Sequence, residues 1–241
     1  MTQFTAIVFV FILLLLINPN SKMLLKNKKK EDWILDILSL AIQGIFVPFI
    51  QFLMGNYVLS ALFPRFAHAI HLSPVCVFLI CFLGIDYLYY WNHRFLHSGR
   101  GWIFHRIHHS VTEMDVVSSS RNSLIGSFFI VYCLANSTVA YIFQHSQAVG
   151  LAMGITSILD LWRHSRLYPA QDSNWRMLLW FFINPRNHAY HHAKGSCNFG
   201  ANFSIWDRIH GTFKEAFDYP TDIAMAKNFS LKKAVMYPFL G

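Results

Sequence analysis

Residues 74–97 read PVCVFLICFLGIDYLYYWNHRFLH, an apolar stretch from Pro74 to Trp91 that runs directly into His93 and His97. About twenty apolar residues suffice for an α-helix to cross a hydrocarbon core, and side chains at i and i+4 share one helix face. The segment therefore predicts a transmembrane helix ending in a pair of potential metal ligands, because neutral imidazole is the commonest side-chain ligand. Taken alone, the pair also fits two interfacial histidines anchoring a helix end.

Two further clusters weigh against that simpler reading. HRIHH supplies His105, His108 and His109, and HAYHH supplies His188, His191 and His192. The three windows hold eight of the chain's 13 histidines, where even scattering would leave about one. Adjacent histidines point about 100° apart on a helix, so His108 and His109 can serve different ions, and the last cluster repeats the pattern. Eight nitrogens exceed the roughly four that a tetrahedral zinc takes and suit a pair of ions with open positions.

Composition sets the surroundings of these clusters. Of 241 residues, 54% are hydrophobic, 17% aromatic and only 13% charged, against about 25% charged in soluble domains. The chain reads as one integral membrane domain over residues 1–241: an all-α, polytopic helical bundle with a cytoplasmic histidine-rich metal-binding cap. Its net charge of +8 is assigned to the cytoplasmic face and anionic headgroups rather than to nucleic acid. Cys76, Cys81, Cys133 and Cys197 show no CxxC spacing, so neither disulfides nor cysteine ligands are expected.

Orientation follows from the basic residues. The run 4–17, FTAIVFVFILLLLI, is followed by Lys22, Lys26, Lys28, Lys29 and Lys30. Charge after the apolar run reads as a retained first span with its N-terminus outside. Trp33 to about Leu62 crosses back with a kink at Pro48, which lacks one helix hydrogen bond. The third span then carries the first two clusters to the cytoplasmic boundary and leaves His68 and His71 on the other side. Leu124 to Leu161, interrupted at Gln144, His145, Ser146 and Gln147, reads as a helical hairpin whose tip reaches the far side or stops within the bilayer. Either version returns His164 to the clusters and keeps His145 away. Pro169 to Gly241 is more polar except for Met177 to Ile183, and carries the last cluster.

The boxes, their order and their flanks resemble the fatty acid hydroxylase and sterol desaturase superfamily of membrane di-iron oxygenases over roughly residues 75–215. The matching text is Asp86 with Tyr90-Trp91-Asn92-His93-Arg94, Trp102 through Ser110, Arg121, His164-Ser165 with Pro169, Asn184-Pro185, Asn198-Phe199-Gly200, Trp206-Asp207-Arg208 and Gly211-Thr212. The resemblance implies that the eight box histidines ligate iron and that His164 is an additional ligand, or else a helix-end histidine bonded to a loop carbonyl. His210 stands where the family has an aromatic residue and is not expected to ligate. Asn184 replaces a common threonine and Asn122-Ser123 a histidine-proline pair, while no box member is missing. Asp86, seven residues before His93 in an apolar run, is expected to accept a hydrogen bond from a ligand imidazole, or else to pair with Arg94 or Arg121. Asn198 and Asp207 are candidates for the same orienting role, with helix capping as the alternative.

The activity so implied is O2-dependent hydroxylation or desaturation of a fatty-acyl, sterol or related lipid, with a di-iron centre supplying the oxidant that no side chain provides. The sequence has no flavin or NAD fingerprint and no cytochrome b5-type domain, so electrons are expected from a separate reductase, ferredoxin or cytochrome; Lys28, Lys29 and Lys30 are candidates for attracting an acidic donor. Tyr87, Tyr90, Trp91, Phe95, Trp102 and Phe104 either line a lipid route from the bilayer or form an interfacial aromatic belt. A zinc-dependent membrane hydrolase competes with this reading but needs a carboxylate base; no HExxH occurs, and Glu113 is the nearest acid after the second box. A non-catalytic membrane metal-binding protein is the third reading. The short chain, with no retention signal, favours a bacterial inner membrane over the endoplasmic reticulum.

Overall fold

The computed structural model describes residues 2–17, 21–129, 131–170, 173–175, 179–226 and 229–239. Ile130, in the expected hairpin, and Met177 and Leu178, in the late apolar stretch, lie outside them. Among the described residues no strand forms; two isolated bridges join Ile70 to Phe143 and Phe182 to Phe203. The helices are α1 (Thr2–Ile17), α2 (Ser21–Asn27), α3 (Lys30–Leu62), α4 (Pro74–Leu96), α5 (Trp102–His105), α6 (Gly126–Phe129), α7 (Tyr132–Ile142), α8 (Ser146–Arg163), α9 (Pro185–Lys194), α10 (Ile205–Ile209) and α11 (Leu231–Met236).

By length and composition, α3 with 33 residues and α4 with 23 can each cross a membrane. Large apolar side chains stand exposed along both, among them Ile37, Ile45, Phe46, Phe49 and Phe52 on α3 and Val75, Leu79, Leu83 and Leu88 on α4. An apolar surface of that extent needs a nonaqueous neighbour. The N-terminal run differs from expectation: α1 has 16 residues, short of the roughly twenty that a crossing takes. It leans on α8, where Leu14 packs with Val116 and Leu161.

Pro48 does not break α3. The helix widens into a π turn over Ile42–Phe46, and the Val47 N–H bonds to the Ile42 carbonyl. The extra residue in that turn accommodates a ring that would otherwise strike the carbonyl one turn back and a position with no N–H to donate.

The hairpin is formed by α7 and α8, with the chain turning between Phe143 and His145. Its tip is tied to the α3–α4 connection: His68 N donates to Tyr141 O (2.8 Å), Ile70 N to Ile142 O (3.2 Å), and the His68 ring bonds Phe143 O at 3.0 Å. His68, His71 and His145 therefore lie at the end where α4 begins, about 34 Å of helix away from His97. Along the α4–α8 seam, Val77, Cys81 and Ile85 meet Ala148, Val149 and Ala152; the small alanines let the backbones approach.

The elements near the clusters start and stop on local signals. Ser73 caps α4 by accepting from Cys76 N at 3.2 Å, ahead of Pro74. Asn184, at the position noted above, caps α9 by accepting from Asn187 N at 3.0 Å, and Gly195 ends that helix at φ 66°. All four cysteines are free.

The turn from α4 into α5 requires glycine. A Cβ at Gly101 would lie 2.1 Å from Phe95 O and 2.7 Å from Leu96 Cα, both backbone atoms. Gly101→Ala is expected to destabilise the protein by about 1–3 kcal/mol, as overpacking does, read as a lower melting temperature in detergent; an unchanged melt would contradict this account of the turn.

Candidate metal centre

Four elements converge to gather nine histidines. His93 and His97 come from the end of α4, and His164 follows α8 as its C-cap. His188, His191 and His192 come from α9. The second cluster is not one α-helix: His105 ends α5, while His108 and His109 sit in a 3-10 turn. Their nitrogens fall into two groups, His93/His97/His105/His109/His191 and His108/His164/His188/His192, each with one ligand atom per residue within 4.8 Å of the others. The adjacent pairs 108/109 and 191/192 divide between the groups, because neighbouring side chains diverge around the backbone axis. His164 completes the second group. His210 lies outside both: its ring stacks on Tyr90 at 5.0 Å, and its Nε2 meets the Tyr87 hydroxyl at 3.2 Å.

Backbone carbonyls set the tautomers. Nδ1 of His93 donates to Phe199 O (2.8 Å), of His191 to Cys197 O (2.7 Å), of His164 to Asp160 O (2.8 Å) and of His108 to Arg121 O (3.2 Å). With the proton on Nδ1, each Nε2 lone pair is free to ligate. The Nε2 atoms of His97, His109 and His191 are buried without a partner, and three Nε2 pairs stand close together: His93 with His105 at 2.9 Å, His164 with His188 at 3.1 Å and His108 with His192 at 3.1 Å. Two nitrogens bound about 2.1 Å from one ion at a right angle also stand about 3 Å apart. Burial first, then neighbouring imidazoles, holds His97, His105, His109, His188 and His192 below the usual imidazole range; burial takes His108 and His191 down to about 3. The set can therefore bind metal: neutral, buried and rich in orphaned lone pairs.

The three residues expected to orient imidazoles directly act one step further out. Asp86, 1% exposed, accepts from Asn202 N (2.8 Å), Phe203 N (3.2 Å) and Trp206 Nε1 (2.8 Å). It touches no imidazole and pairs with neither Arg94 nor Arg121, because two helical turns separate it from His93 and at that level it meets the 202–206 segment. Asp207 accepts from Phe199 N (2.8 Å), Gly200 N (2.7 Å) and Thr212 Oγ1 (2.7 Å); burial raises its pKa and these donors oppose the shift. Asn198, in the left-handed region at φ 56°, donates to Asn187 O and Lys214 O and accepts from Lys214 N. Together they fix the 197–203 loop, whose Cys197 and Phe199 carbonyls hold His191 and His93.

Arg121 plays the corresponding part for His108. Its carbonyl accepts the hydrogen bond from His108 Nδ1, while its guanidinium meets Asp36 at 2.5 and 3.0 Å and Asp32 at 2.7 Å. Lys28 joins Asp36 (2.5 Å) and Asp115 (2.8 Å). Lys28 is thus not a free surface charge for a docking partner: its side chain is 6% exposed, and burial of Asp36 and Asp115 with two cations in one place demands that each be paired. Lys29 and Lys30 are exposed.

A cavity of about 570 Å³ opens between α1, α3, α7 and α8 and reaches His105, His108, His164 and His188. Its aromatic lining, besides the histidines, is Phe11, Tyr89 and Tyr132. None of Tyr87, Tyr90, Trp91, Phe95, Trp102 or Phe104 lines it; on α4 the cavity face carries Cys81 and Tyr89, two turns apart, while Trp91 and Phe95 point outward at 44% and 51% exposure. Sequence reasoning also passed over Asp160, which lines the cavity, pairs with Arg163 and lies 3.3 Å from His164 Nδ1. The signal was present: an acid in an apolar helix, four residues before a histidine.

A family model for fatty acid hydroxylases matches residues 78–212. Alkylglycerol monooxygenase of Xenopus tropicalis is 28% identical over 56% of this chain and 30% of its own length. Ornithine lipid hydroxylase OlsE of Rhizobium tropici is 32% identical over 52% of this chain and 38% of its own. Lathosterol oxidase of Mus musculus is 28% identical over 68% and 54%. The chain thus matches about half or less of the length of these relatives. No solved structure matches it.

Asp36→Asn removes one charge from the cluster behind His108. It is expected to destabilise the protein by about 3–5 kcal/mol, as breaking a buried pair does, whereas Lys29→Gln at an exposed position should change stability by less than about 0.5 kcal/mol. Equal melts for the two variants in detergent would show that the cluster carries no weight.

Proposed function

The chain belongs to the fatty acid hydroxylase family, and on that premise we propose that it is an O2-dependent lipid hydroxylase or desaturase with a histidine-held di-iron centre and a separate electron donor. The observation that carries this reading is the pair of histidine groups at the end of a largely apolar cavity. A bound iron pair supplies the oxidant that attack on an unactivated C–H bond requires. His93, His97, His105, His109 and His191 would hold one iron, and His108, His164, His188 and His192 the other. Five and four nitrogens leave one and two positions of an octahedral ion open, while five overfill a tetrahedral zinc.

The protein residues bind, orient and exclude water. The cavity walls from α1, α3, α7 and α8 desolvate the lipid. The 197–203 loop and Arg121 hold the imidazole protons away from the metal side. The alternative zinc hydrolase needs a free carboxylate base, yet Glu113 is bound to Arg166 and Asp160 to Arg163 and His164. In this reading the bundle is multi-pass with its histidines toward the cytoplasm and the hairpin tip at the far end, so that the cavity would lie at membrane depth and the metal end would be open to a soluble reductase, ferredoxin or cytochrome.

Protein purified anaerobically in mild detergent should hold about two irons per chain, and its Mössbauer spectrum should change on exposure to O2. His164→Ala should lower the iron content by roughly half, as loss of one ligand from a four-nitrogen site weakens that site selectively. Stoichiometric zinc, with no O2 uptake after iron reconstitution, would favour the hydrolase; bound iron without O2 uptake would favour a non-catalytic metal-binding protein.

A further inference from the structure

Gln51, Tyr132 and Asn136 line the largely apolar cavity from α3 and α7. Gln51 donates its amide to the Tyr132 carbonyl at 3.2 Å, docking α3 against the first turn of α7. Asn136 follows Tyr132 by one helical turn and shares its face. The Tyr132 hydroxyl is buried and has no hydrogen-bond partner. Asn136 is 9% exposed and lines the same cavity. The Tyr132 ring stacks on Tyr89 at 5.0 Å, and the Tyr89 ring lies 5.1 Å from that of His93. Tyr132, whose hydroxyl is unpaired, thus stands one aromatic ring away from His93, with Asn136 one helical turn further along α7.

Polar groups left unpaired in a low-dielectric site cost more than a satisfied hydrogen bond gains. A plain hydrocarbon chain filling this cavity would leave the Tyr132 hydroxyl unpaired and would offer the Asn136 amide nothing to bond. A lipid oxygen at the same level would accept from the Tyr132 phenol and from the Asn136 amide. We infer that Tyr132 and Asn136 form a polar subsite for an oxygen-bearing group within the lipid substrate, a hydroxyl, ether or carbonyl oxygen, and so set which carbon is presented to the histidines. The inference rests on the reading of the cavity as the lipid site.

A minimal pair of probes tests it: radiolabelled octadecanol and octadecane, which share a chain and differ by one oxygen, bound to the full chain in detergent. The wild type should prefer octadecanol by about a hundredfold, about tenfold for each of the two bonds. Tyr132→Phe and Asn136→Leu, both close in volume to the originals, should each shrink that preference about tenfold while metal content stays at the wild-type level. A wild type without preference, or variants that keep both the preference and the metal, would overturn the subsite. The function proposal fails separately: selective octadecanol binding without iron or O2 uptake would leave the subsite and remove the oxygenase, whereas lipid oxygenation without discrimination between the probes would do the reverse.

Discussion

A neutral imidazole offers one nitrogen to a metal while its other nitrogen carries the proton, and an acceptor for that proton fixes which nitrogen is which. Here nine such rings are gathered at one end of a helical bundle, so the site needs acceptors as much as it needs histidines. Backbone carbonyls at Asp160, Arg121, Cys197 and Phe199 provide four of them. Carbonyls are held in place only by the chain that carries them, and much of the surrounding structure serves that purpose. Asp86, Asp207 and Asn198 clamp the 197–203 loop; Asp32 and Asp36 clamp Arg121.

The second clamp ties the site to the N-terminal part of the chain. Asp36 lies on α3 outside the region matched by the family model, yet through Arg121 it is two links away from His108. The same helix, widened ahead of Pro48, contributes Gly44, Val47 and Gln51 to the cavity wall. One element therefore both braces the second histidine group and shapes the space in front of it, so a change in α3 is felt at the histidines and in the cavity together.

Much of the fold could be read along the chain. The runs at 33–62 and 74–96 are helices of the length their composition demands, and the polar interruption near Gln144 marks the hairpin turn. The expected positions of His164 beside the clusters and of His145, His68 and His71 at the other end agree with the geometry. The sequence was less informative where partners are distant in the chain. Asp86 looked like an imidazole partner because it shares a helix face with His93, but rise along the axis separates them and a loop 116 residues away takes its oxygens. Lys28 looked like a surface charge because its neighbours are lysines, but it is buried against Asp36 and Asp115. The aromatic residues beside the boxes looked like a lipid route, and the cavity turned out to face Tyr89 and Tyr132.

The sequence alone determined what depends on local periodicity and side-chain chemistry: which segments are apolar helices, which residues are able to ligate a metal, and at which end of the helices they collect. Only the tertiary structure decided how nine histidines divide into five and four, which carbonyls hold the protons of four of them, and which residues line the cavity. Helix period and hydropathy are properties of neighbours along the chain, whereas hydrogen-bond partners and cavity walls are contributed by segments tens to more than a hundred residues apart.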